Sequence, residues 1–459
     1  MKRVLTADTP LHVDQEVVVK GFVHVRRDHG KLIFFDLRDA AGLLQIVVVP
    51  SVSEEASKVA SELRPEDVVE VHGLIKARPE KLVNPKLKSG TVELSAKKIT
   101  LLSKAETLPF DMGGASLNLE LPTLLDHRSL TLRHESVRNI FLIQAAIAEE
   151  FRNAAKTLGC TEIFVPTIAA GATEGGADVF KVDYYGHEAF MIQSPQLYKQ
   201  IMVSVFERVF VITKAYRAEP SVTTRHLSEV TMIDIEIAFI DSFEELLDAF
   251  EFVGSSIVKN VSEKYSGIFK NFGIEKPLVP TKIPRLTLRA AQKIITERTG
   301  RDLSKEMDLN PEDEREICLW ARENHKSDFV TVTHYPTKKR AFYTYPDPEN
   351  PEYSLSYDLL FKGTEILSGS RRINDYDQLV VAMKARGVDP KNFGMYLQAF
   401  KYGMPPEGGF SFGLERITMK MLELANIREA SLFPRDMERV DERFSKREEK
   451  TGNDQKREK

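Results

Sequence analysis

Four stretches of the chain gather residues that could handle a substrate rich in negative charge. The first is YRAEPSVTTRHLSEVTMIDIEIAF (216–239). Arg217 and Glu219 stand two residues apart, Arg225 and His226 lie in the polar middle, and Asp234 and Glu236 stand two apart at the close. Residues two apart on an extended chain share a face. The stretch reads as strand, loop and return strand, with Ile233, Ile235, Ile237 and Phe239 opposite the carboxylates. A strand face of Arg, Glu, Asp and Glu is either solvated or lines a polar pocket, and the stretch alone leaves both open. The second, SLSYDLLFKGTEILSGSRRI (354–373), reads as two strands joined at Lys362-Gly363, with Asp358, Glu365, Ser368 and Arg372 among apolar positions. Two carboxylates and a hydroxyl suit a hard cation such as Mg2+. Arg372 offers a planar fork for a carboxylate. The third, GGFSFGLERITMKMLELA (408–425), is a glycine-rich strand entering a helix with Glu415 and Arg416 at its start. An arginine there makes a positive region suited to phosphate. The fourth, SPQLYKQ (194–200), opens a helix with Ser194 as N-cap and Pro195 in the first turn. Gln196 and Lys199, three apart, share one face of it. A surface helix start is the plain alternative.

The elements that must position these residues fall into two parts. Residues 1–103 alternate as an all-β domain: Glu16 to Arg26, Leu32 to Leu37, Leu43 to Val49, Val68 to Ile75 and Val92 to Leu102 are strands, with a helix from Val52 to Leu63. Five short strands with one helix after the third predict a Greek-key barrel of the OB type. Such barrels bind single-stranded nucleic acid by stacking bases on aromatics beside a basic groove. Phe34 and Phe35, with Arg26, Arg27, Lys31 and Arg38 nearby, supply those materials, although one of two adjacent phenylalanines must be core. Residues 104–135 read as a hinge or linker containing Pro109, Gly113-Gly114 and Pro122. From 136 to 440 the chain reads as a second, larger domain. It opens on a long amphipathic helix with Ile140, Ile143, Ile147, Phe151 and Ala154 on one face, then a strand from Thr161 to Val165 stopped by Pro166. AAGATEGGADVF (169–180) reads as a mobile flap and fits neither the P-loop nor the dinucleotide pattern. Between Asp241 and Tyr353 helices and loops alternate without a catalytic signature. Residues 441–459 read as a charged, disordered tail.

Composition excludes some classes. The chain has 459 residues, 42% hydrophobic and 29% charged, with a net charge of −4. Any nucleic-acid contact must therefore come from a local basic surface. Two cysteines, Cys160 and Cys318, can build neither a disulfide framework nor a cysteine-based zinc site. No apolar run reaches spanning length, and MKRVLTADTP lacks the core of a signal peptide, which points to a cytoplasmic protein without a membrane partner.

Taken together, residues 136–440 resemble the catalytic domain of the class II aminoacyl-tRNA synthetases, subclass b. The helix ending in IFVPTI resembles motif 1, YRAE…TTRHL…IDIE motif 2 and GGFSFGLER motif 3. TEGG, SPQLYKQ and EILSGSRRI are similar to the aspartyl-tRNA synthetases, and KYGMPPEGGF and NIREASLFPRD to their archaeal-type branch. GFVHVRRDHGKLIFFDLRD resembles the anticodon-binding barrel. The resemblance covers nearly all but the tail and parts of 241–353. It implies an α+β architecture, an OB barrel before a six- to seven-stranded antiparallel sheet flanked by helices, assembled as a homodimer through motif 1. It implies a ligase that activates L-aspartate with ATP and charges tRNA(Asp), with tRNA(Asn) left open as a second acceptor. In that family Arg217 would hold the α-phosphate and Glu219 the adenine end or the tRNA acceptor. Arg225 and His226 would hold the outer phosphates, and Arg416 the bent triphosphate. Glu365 and Ser368 would coordinate Mg2+ with Asp358 close by. Lys199 and Arg372 would clamp the substrate side-chain carboxylate. Asp234, Gln196 and Glu174 would address its ammonium, with Ser194 in support. In the barrel Phe34 would stack on the middle anticodon base and Gln45 would hydrogen-bond one, with Arg27 close by.

The chain departs from the family at Arg371, where glutamine is usual, at Ser411-Phe412, where glycine and a small apolar residue are usual, and in its charged tail. The alternatives are an asparaginyl-tRNA synthetase, against which Asp234 and Ser368-Gly369 argue, and a lysyl enzyme, for which Lys199 and Arg372 have the wrong sign. A non-charging paralogue would have lost a motif arginine or the barrel, and an asparagine-making relative would lack the barrel. His29 favours relaxed tRNA choice and Lys81 opposes it.

Overall fold

The structure, a computed structural model, describes residues 2–30, 32–171, 179–220 and 223–445. The chain divides into two units, one of Met1–Leu119 with His134–Ser136, the other of Glu120–Arg133 and Val137 onward. In the first, β1 (Glu16–Asp28), β2 (Ile33–Arg38), β3 (Leu43–Val48), β4 (Val68–Ala77) and β5 (Val92–Ser103) close into a barrel. Its order is β1-β2-β3-β5-β4, with α1 (Glu54–Glu62) between β3 and β4. This is the OB barrel that the alternation predicts. Val19, Val23, Phe35, Leu37 and Ile46 fill it, and the Ser53 hydroxyl caps α1 by accepting the Ala56 N–H at 3.1 Å.

The stretch read as a linker is partly folded. It contains α2 (Leu121–Asp126) and α3 (Arg128–Thr131). Arg128 explains their order: its guanidinium donates to the carbonyls of Glu429, Ser431 and Leu432. These contacts tie the short helices into the second unit.

The second unit continues with α4 (Glu135–Thr157), β6 (Thr161–Glu162), a small sheet of β7 (Ile168–Ala169), β8 (Lys181–Tyr184) and β9 (His187–Met191), then α5 (Gln196–Phe206), β10 (Arg208–Tyr216) and β11 (Glu229–Ala238). Next come α6 (Phe243–Lys264), α7 (Ser266–Asn271), β12 (Arg285–Thr287), α8 (Leu288–Thr299), α9 (Pro311–His325) and β13 (Phe329–Thr333). It closes with β14 (Ser356–Phe361), β15 (Thr364–Arg371), α10 (Tyr376–Ala385), α11 (Gly394–Lys401), β16 (Glu407–Gly413) and α12 (Leu414–Met421). The main sheet has eight strands in the order β12-β13-β14-β15-β16-β11-β10-β6. Its inner six are antiparallel, and the short edges β12 and β6 add parallel pairs that the resemblance did not imply. The strand expected to reach Val165 ends at Glu162. Ile163 still donates to the Phe210 carbonyl at 2.9 Å; the chain then leaves the sheet ahead of Pro166, which disfavours continued regular pairing.

Register gives the sheet one polar and one apolar face. Asp234 lies opposite Ser411, Ser411 opposite Ser368, and Ser368 opposite Asp358. In the neighbouring row Glu236 faces Gly409, and Gly409 faces Ser370. The alternate residues Ile233, Ile235, Phe410, Phe412, Leu367, Tyr357 and Leu359 join the core formed with α4 and α6. Lys362 and Gly363, at φ 45° and 77°, make the tight turn between β14 and β15. A bulge follows, because Leu360 pairs with Glu365 while Leu359 pairs with Leu367. The extra residue, Ile366, packs in the core, and Glu365 returns to the polar face despite its odd spacing from Ser368.

The charged tail begins later than expected. Arg443 still pairs with Asp126 at 2.5 Å, beside the Arg439–Asp126 pair, and residues 446–459 lie outside those described.

Gly409 is a steric requirement of the polar face. A methyl group there would overlap the Glu236 carboxylate and the Ile235 carbonyl. Gly409→Ala is expected to destabilise the protein by about 1–3 kcal/mol, the usual cost of overpacking, as measured by denaturant unfolding.

Candidate active site

A cavity of about 260 Å3 opens on the polar face. Helix α5 delivers Gln196 and Lys199 to it from one side, as their spacing predicts. The helix starts at Gln196 with Pro195 as N-cap, one residue later than the sequence suggests. Ser194 keeps a capping role, since its hydroxyl accepts the Gln196 N–H at 3.2 Å. Lys199 is 1% exposed, and its ammonium lies 3.0 Å from Asp234 Oδ2 and 2.9 Å from Glu236 Oε2. Arg372 reaches the same place from the end of β15. Its Nε donates to Glu236 Oε1 at 2.7 Å, its Nη1 to Ser370 Oγ at 2.6 Å, and its Nη2 to Gln196 Oε1 at 3.1 Å and the Gly409 carbonyl at 3.0 Å. A guanidinium carries five N–H donors, so one on Nη1 remains for a ligand.

Glu236 escaped the sequence reading as a site residue, although its spacing from Asp234 on an otherwise isoleucine-lined strand was the available signal. It is 0% exposed. Burial works against its charge, yet Arg372 and Lys199 hold its carboxyl below the usual range. Asp234 is also 0% exposed and lies beneath the cavity floor, outside its wall. Burial pushes its carboxyl up, against the pull of Lys199 and the Ser411 hydroxyl. Glu407 sits behind this cluster. Gln200 Nε2 donates to it at 2.6 Å and Tyr396 donates to Gln200 Oε1 at 3.1 Å. Burial and the neighbouring Glu236 charge push Glu407 well above the usual range, which favours its protonated form. Glu174 lies outside the described residues.

A second cavity of about 170 Å3 adjoins the first and shares Arg217, Met232, Ser368 and Ser411 with it. Arg225, His226, Glu365 and Arg416 line its other walls. Arg217 and Glu219 face each other at 3.9 Å with both side chains partly exposed. Arg416, in the first turn of α12, lies 3.0 Å from the Glu365 carbonyl and 3.5 Å from its carboxylate. Burial pushes His226 below its usual range; Glu219 opposes this, and Arg416, Arg217 and Arg225 reinforce it. The result is a cluster of three arginines around a neutral imidazole, a site for a polyanion.

The carboxylates at the far side have an incomplete set of partners. Arg340 Nη2 donates to Asp358 Oδ2 at 2.7 Å and Nη1 to Ser368 Oγ at 3.2 Å. Asp358 Oδ1 is buried without a hydrogen-bond partner. Burial and the Asp358 charge push Glu365 up to about 7. A buried unpaired oxygen beside a carboxylate strained by like charge fits a hard cation. Among the described residues no three His, Cys, Asp or Glu side chains converge as a metal cage. Glu365 and Asp358 are two carboxylates, the number that Mg2+ takes from a protein when substrate phosphates supply the rest. Glu314, which pairs with Arg225, and Arg340 were both missed. They come from the stretch without a signature, where isolated charges show no spacing that reveals a distant partner.

In the barrel, Phe35 enters the core while Phe34 stays half-buried on the outer face. The His29 ring meets Phe34 edge-on at 5.7 Å, and Arg27 pairs with Asp36 at 3.0 Å. Gln45, on the adjacent β3, accepts from Arg78 and donates to Glu93 at 3.2 Å. Lys81 stands exposed in the turn after β4. Among the departures, Arg371 stacks 4.4 Å above the Tyr345 ring, away from the cavity wall, whereas Ser411 faces both cavities.

The chain belongs to the class II tRNA synthetases: the family of tRNA synthetases class II (D, K and N) matches residues 120–437, and the OB-fold nucleic acid binding domain matches 17–102. It is an ATP-dependent ligase of an amino acid to tRNA. It is 40% identical to the aspartate–tRNA(Asp/Asn) ligase of Deinococcus radiodurans, over 96% of this chain and 99% of that one. It is 37% identical to the aspartate–tRNA(Asp) ligase of Pyrococcus horikoshii, over 93% and 96%. Its structure matches the crystal structure of asparaginyl-tRNA synthetase from Pyrococcus horikoshii complexed with asparaginyl-adenylate at a TM-score of 0.87, with 30% identity over 96% and 99% of the two chains. No described helix is long and apolar enough to cross a membrane.

Glu407 gives a pH test of the buried cluster. The folded protein keeps a proton that the unfolded chain releases above roughly pH 4.3, so this group makes stability fall as pH rises. Glu407→Gln mimics the protonated form and removes that slope. Its melting temperature relative to the parent is expected to increase between pH 5 and 8, as followed by calorimetry.

Proposed function

We propose that the chain activates L-aspartate with ATP and transfers it to the 3′-terminal ribose of tRNA(Asp). The observation that carries this reading is the pair of buried cations, Lys199 and Arg372, that line the polar cavity. A side-chain carboxylate completes the free donor on Arg372, whereas an amide would bring its own N–H groups against cations. The α-carboxylate is ionised at neutral pH and needs no base to attack the α-phosphorus; pyrophosphate leaves. The ribose hydroxyl of tRNA then attacks the carbonyl carbon and releases AMP. Arg217 and Arg416 support the charge on phosphorus, while Arg225 and His226 hold the outer phosphates. Glu219 contacts the adenine end or the tRNA acceptor. Glu365, Ser368 and Asp358 would hold Mg2+, which when bound neutralises phosphate charge. Asp234, Gln196 and Glu174 address the ammonium, and Ser194 supports this shell.

Residues 1–103 serve as the anticodon-binding domain, with Phe34 stacking a base and Arg27, His29, Gln45 and Lys81 around it. The catalytic domain spans 136–440, after the 104–135 hinge. A homodimer forms through motif 1, which the 89% exposure of Phe164 supports. The asparaginyl alternative draws on the structural likeness; the two buried cations oppose it.

ATP–pyrophosphate exchange tests the reading with aspartate, asparagine and lysine in parallel. Aspartate alone should drive exchange, and exchange with asparagine alone would overturn the assignment. Charging of tRNA(Asp) and tRNA(Asn) transcripts decides whether the second tRNA is an acceptor. Arg372→Ala is expected to raise the KM for aspartate by about 100-fold, the loss of one charged hydrogen-bonded contact, with the KM for ATP within about threefold. Equal effects on both would remove Arg372 from the clamp.

A further inference from the structure

The amino-acid cavity has an acceptor that its buried carboxylates do not themselves provide. Asp234 is fully buried and absent from the cavity wall. Between it and the cavity stands Ser411, half-buried and shared by both cavities. Ser411 Oγ lies 2.5 Å from Asp234 Oδ1, with Met232 Sδ its other neighbour at 3.9 Å. A separation near 2.5 Å is the range of a hydroxyl donating to a charged oxygen. Lys199 stands 3.0 Å from the other carboxylate oxygen, which keeps the carboxylate as acceptor and the serine as donor. A hydroxyl has one proton and two lone pairs. With the proton committed to Asp234, the lone pairs are left for the cavity side. The buried charge polarises the hydroxyl, because chained hydrogen bonds strengthen one another in a low-dielectric site.

Placement adds a second constraint. The cavity wall also carries Lys199, Arg217, Lys339, Arg340 and Arg372, all donors. An ammonium bound in this cavity needs acceptors, and the described wall offers few that are not already engaged. Gln196 Oε1 accepts from Arg372 and Ser368 Oγ accepts from Arg340. Ser411 sits in the shared wall, beside the junction where the amino-acid backbone must meet the phosphate.

We propose that Ser411 Oγ accepts a hydrogen bond from the α-ammonium of the amino-acid substrate, with Asp234 acting through it from below. This rests on the proposed reading of the cavity as an aspartate site. It makes Ser411 a substrate-contacting residue and Asp234 its positioning residue.

The test compares two non-reactive analogues, sulfamoyl-adenosine carrying either an aspartyl group or a succinyl group, which is aspartyl without its ammonium. Binding of each is measured by calorimetry on the full chain, for the parent protein, Ser411→Ala and Ser411→Cys. Ser411→Cys keeps the side-chain shape and weakens the hydrogen bond. Both variants are expected to bind the aspartyl analogue about tenfold more weakly and the succinyl analogue within about twofold of the parent. Equal weakening toward both analogues, or no weakening toward the aspartyl one, overturns the proposal. If the parent binds neither analogue, the aspartate reading falls and this inference with it, a result distinct from selective failure of the Ser411 contact.

Discussion

One buried carboxylate, Glu236, holds the amino-acid end of this molecule together. Two cations, Lys199 and Arg372, converge on it from a helix and a strand. Without it, Lys199 would keep Asp234, but Arg372 would lose its carboxylate partner in a dry site. Removing one partner of such a buried cluster typically destabilises by about 3–5 kcal/mol. The neighbouring strand makes room for Glu236 by carrying no side chain at Gly409, whose carbonyl takes a further Arg372 hydrogen. Gln196 bridges the same pair, donating to Glu236 at 3.3 Å while accepting from Arg372. The clamp is therefore fixed in geometry before a ligand arrives, the condition under which charged donors discriminate best.

The same register that buries Glu236 also orders the phosphate side. A single transverse row, Asp234, Ser411, Ser368 and Asp358, crosses four antiparallel strands. Serines occupy its centre, where the two cavities share a wall, and carboxylates its ends. Small hydroxyl residues leave space above the sheet for a ligand, while the apolar residues between them anchor the strands from behind. The bulge at Ile366 lets Glu365 join this face without disturbing the core beneath. Polar chemistry and apolar packing are thus two readouts of one period-two alternation.

Much of this was legible in the sequence because it is local. The barrel strands and the Lys362-Gly363 turn follow alternation and turn chemistry, and Gln196 with Lys199 follows helical spacing. Arg217, Arg225, His226 and Arg416 were marked by short patterns, and the structure brings them around one cavity. Illegible residues act at long range. Arg340 and Glu314 meet Asp358 and Arg225 only after the sheet has assembled. The parallel edge strands are two and three residues long, too short for periodicity to register. Asp234 was legible as a residue of the polar face, yet its depth was not: alternation tells which face a side chain takes, not what lies above it.

That depth matters for how the site distinguishes acid from amide. If Asp234 and Glu236 stood in the wall, they would offer acceptors to an amide nitrogen and weaken the preference for a carboxylate. Buried beneath Lys199 and Arg372, they neutralise the cations without reaching the cavity surface. The wall therefore presents donors while the cluster as a whole stays close to charge balance, helped by the proton on Glu407. Burying an anion's complement in this way separates two tasks. Stability is set by the pairing below, and selectivity by the unpaired donor above. A carboxylate turns two acceptor oxygens toward this donor-lined wall, whereas an amide turns only its carbonyl oxygen and leaves its N–H groups among donors, and unpaired buried polar groups are what give hydrogen-bonding sites their large discrimination.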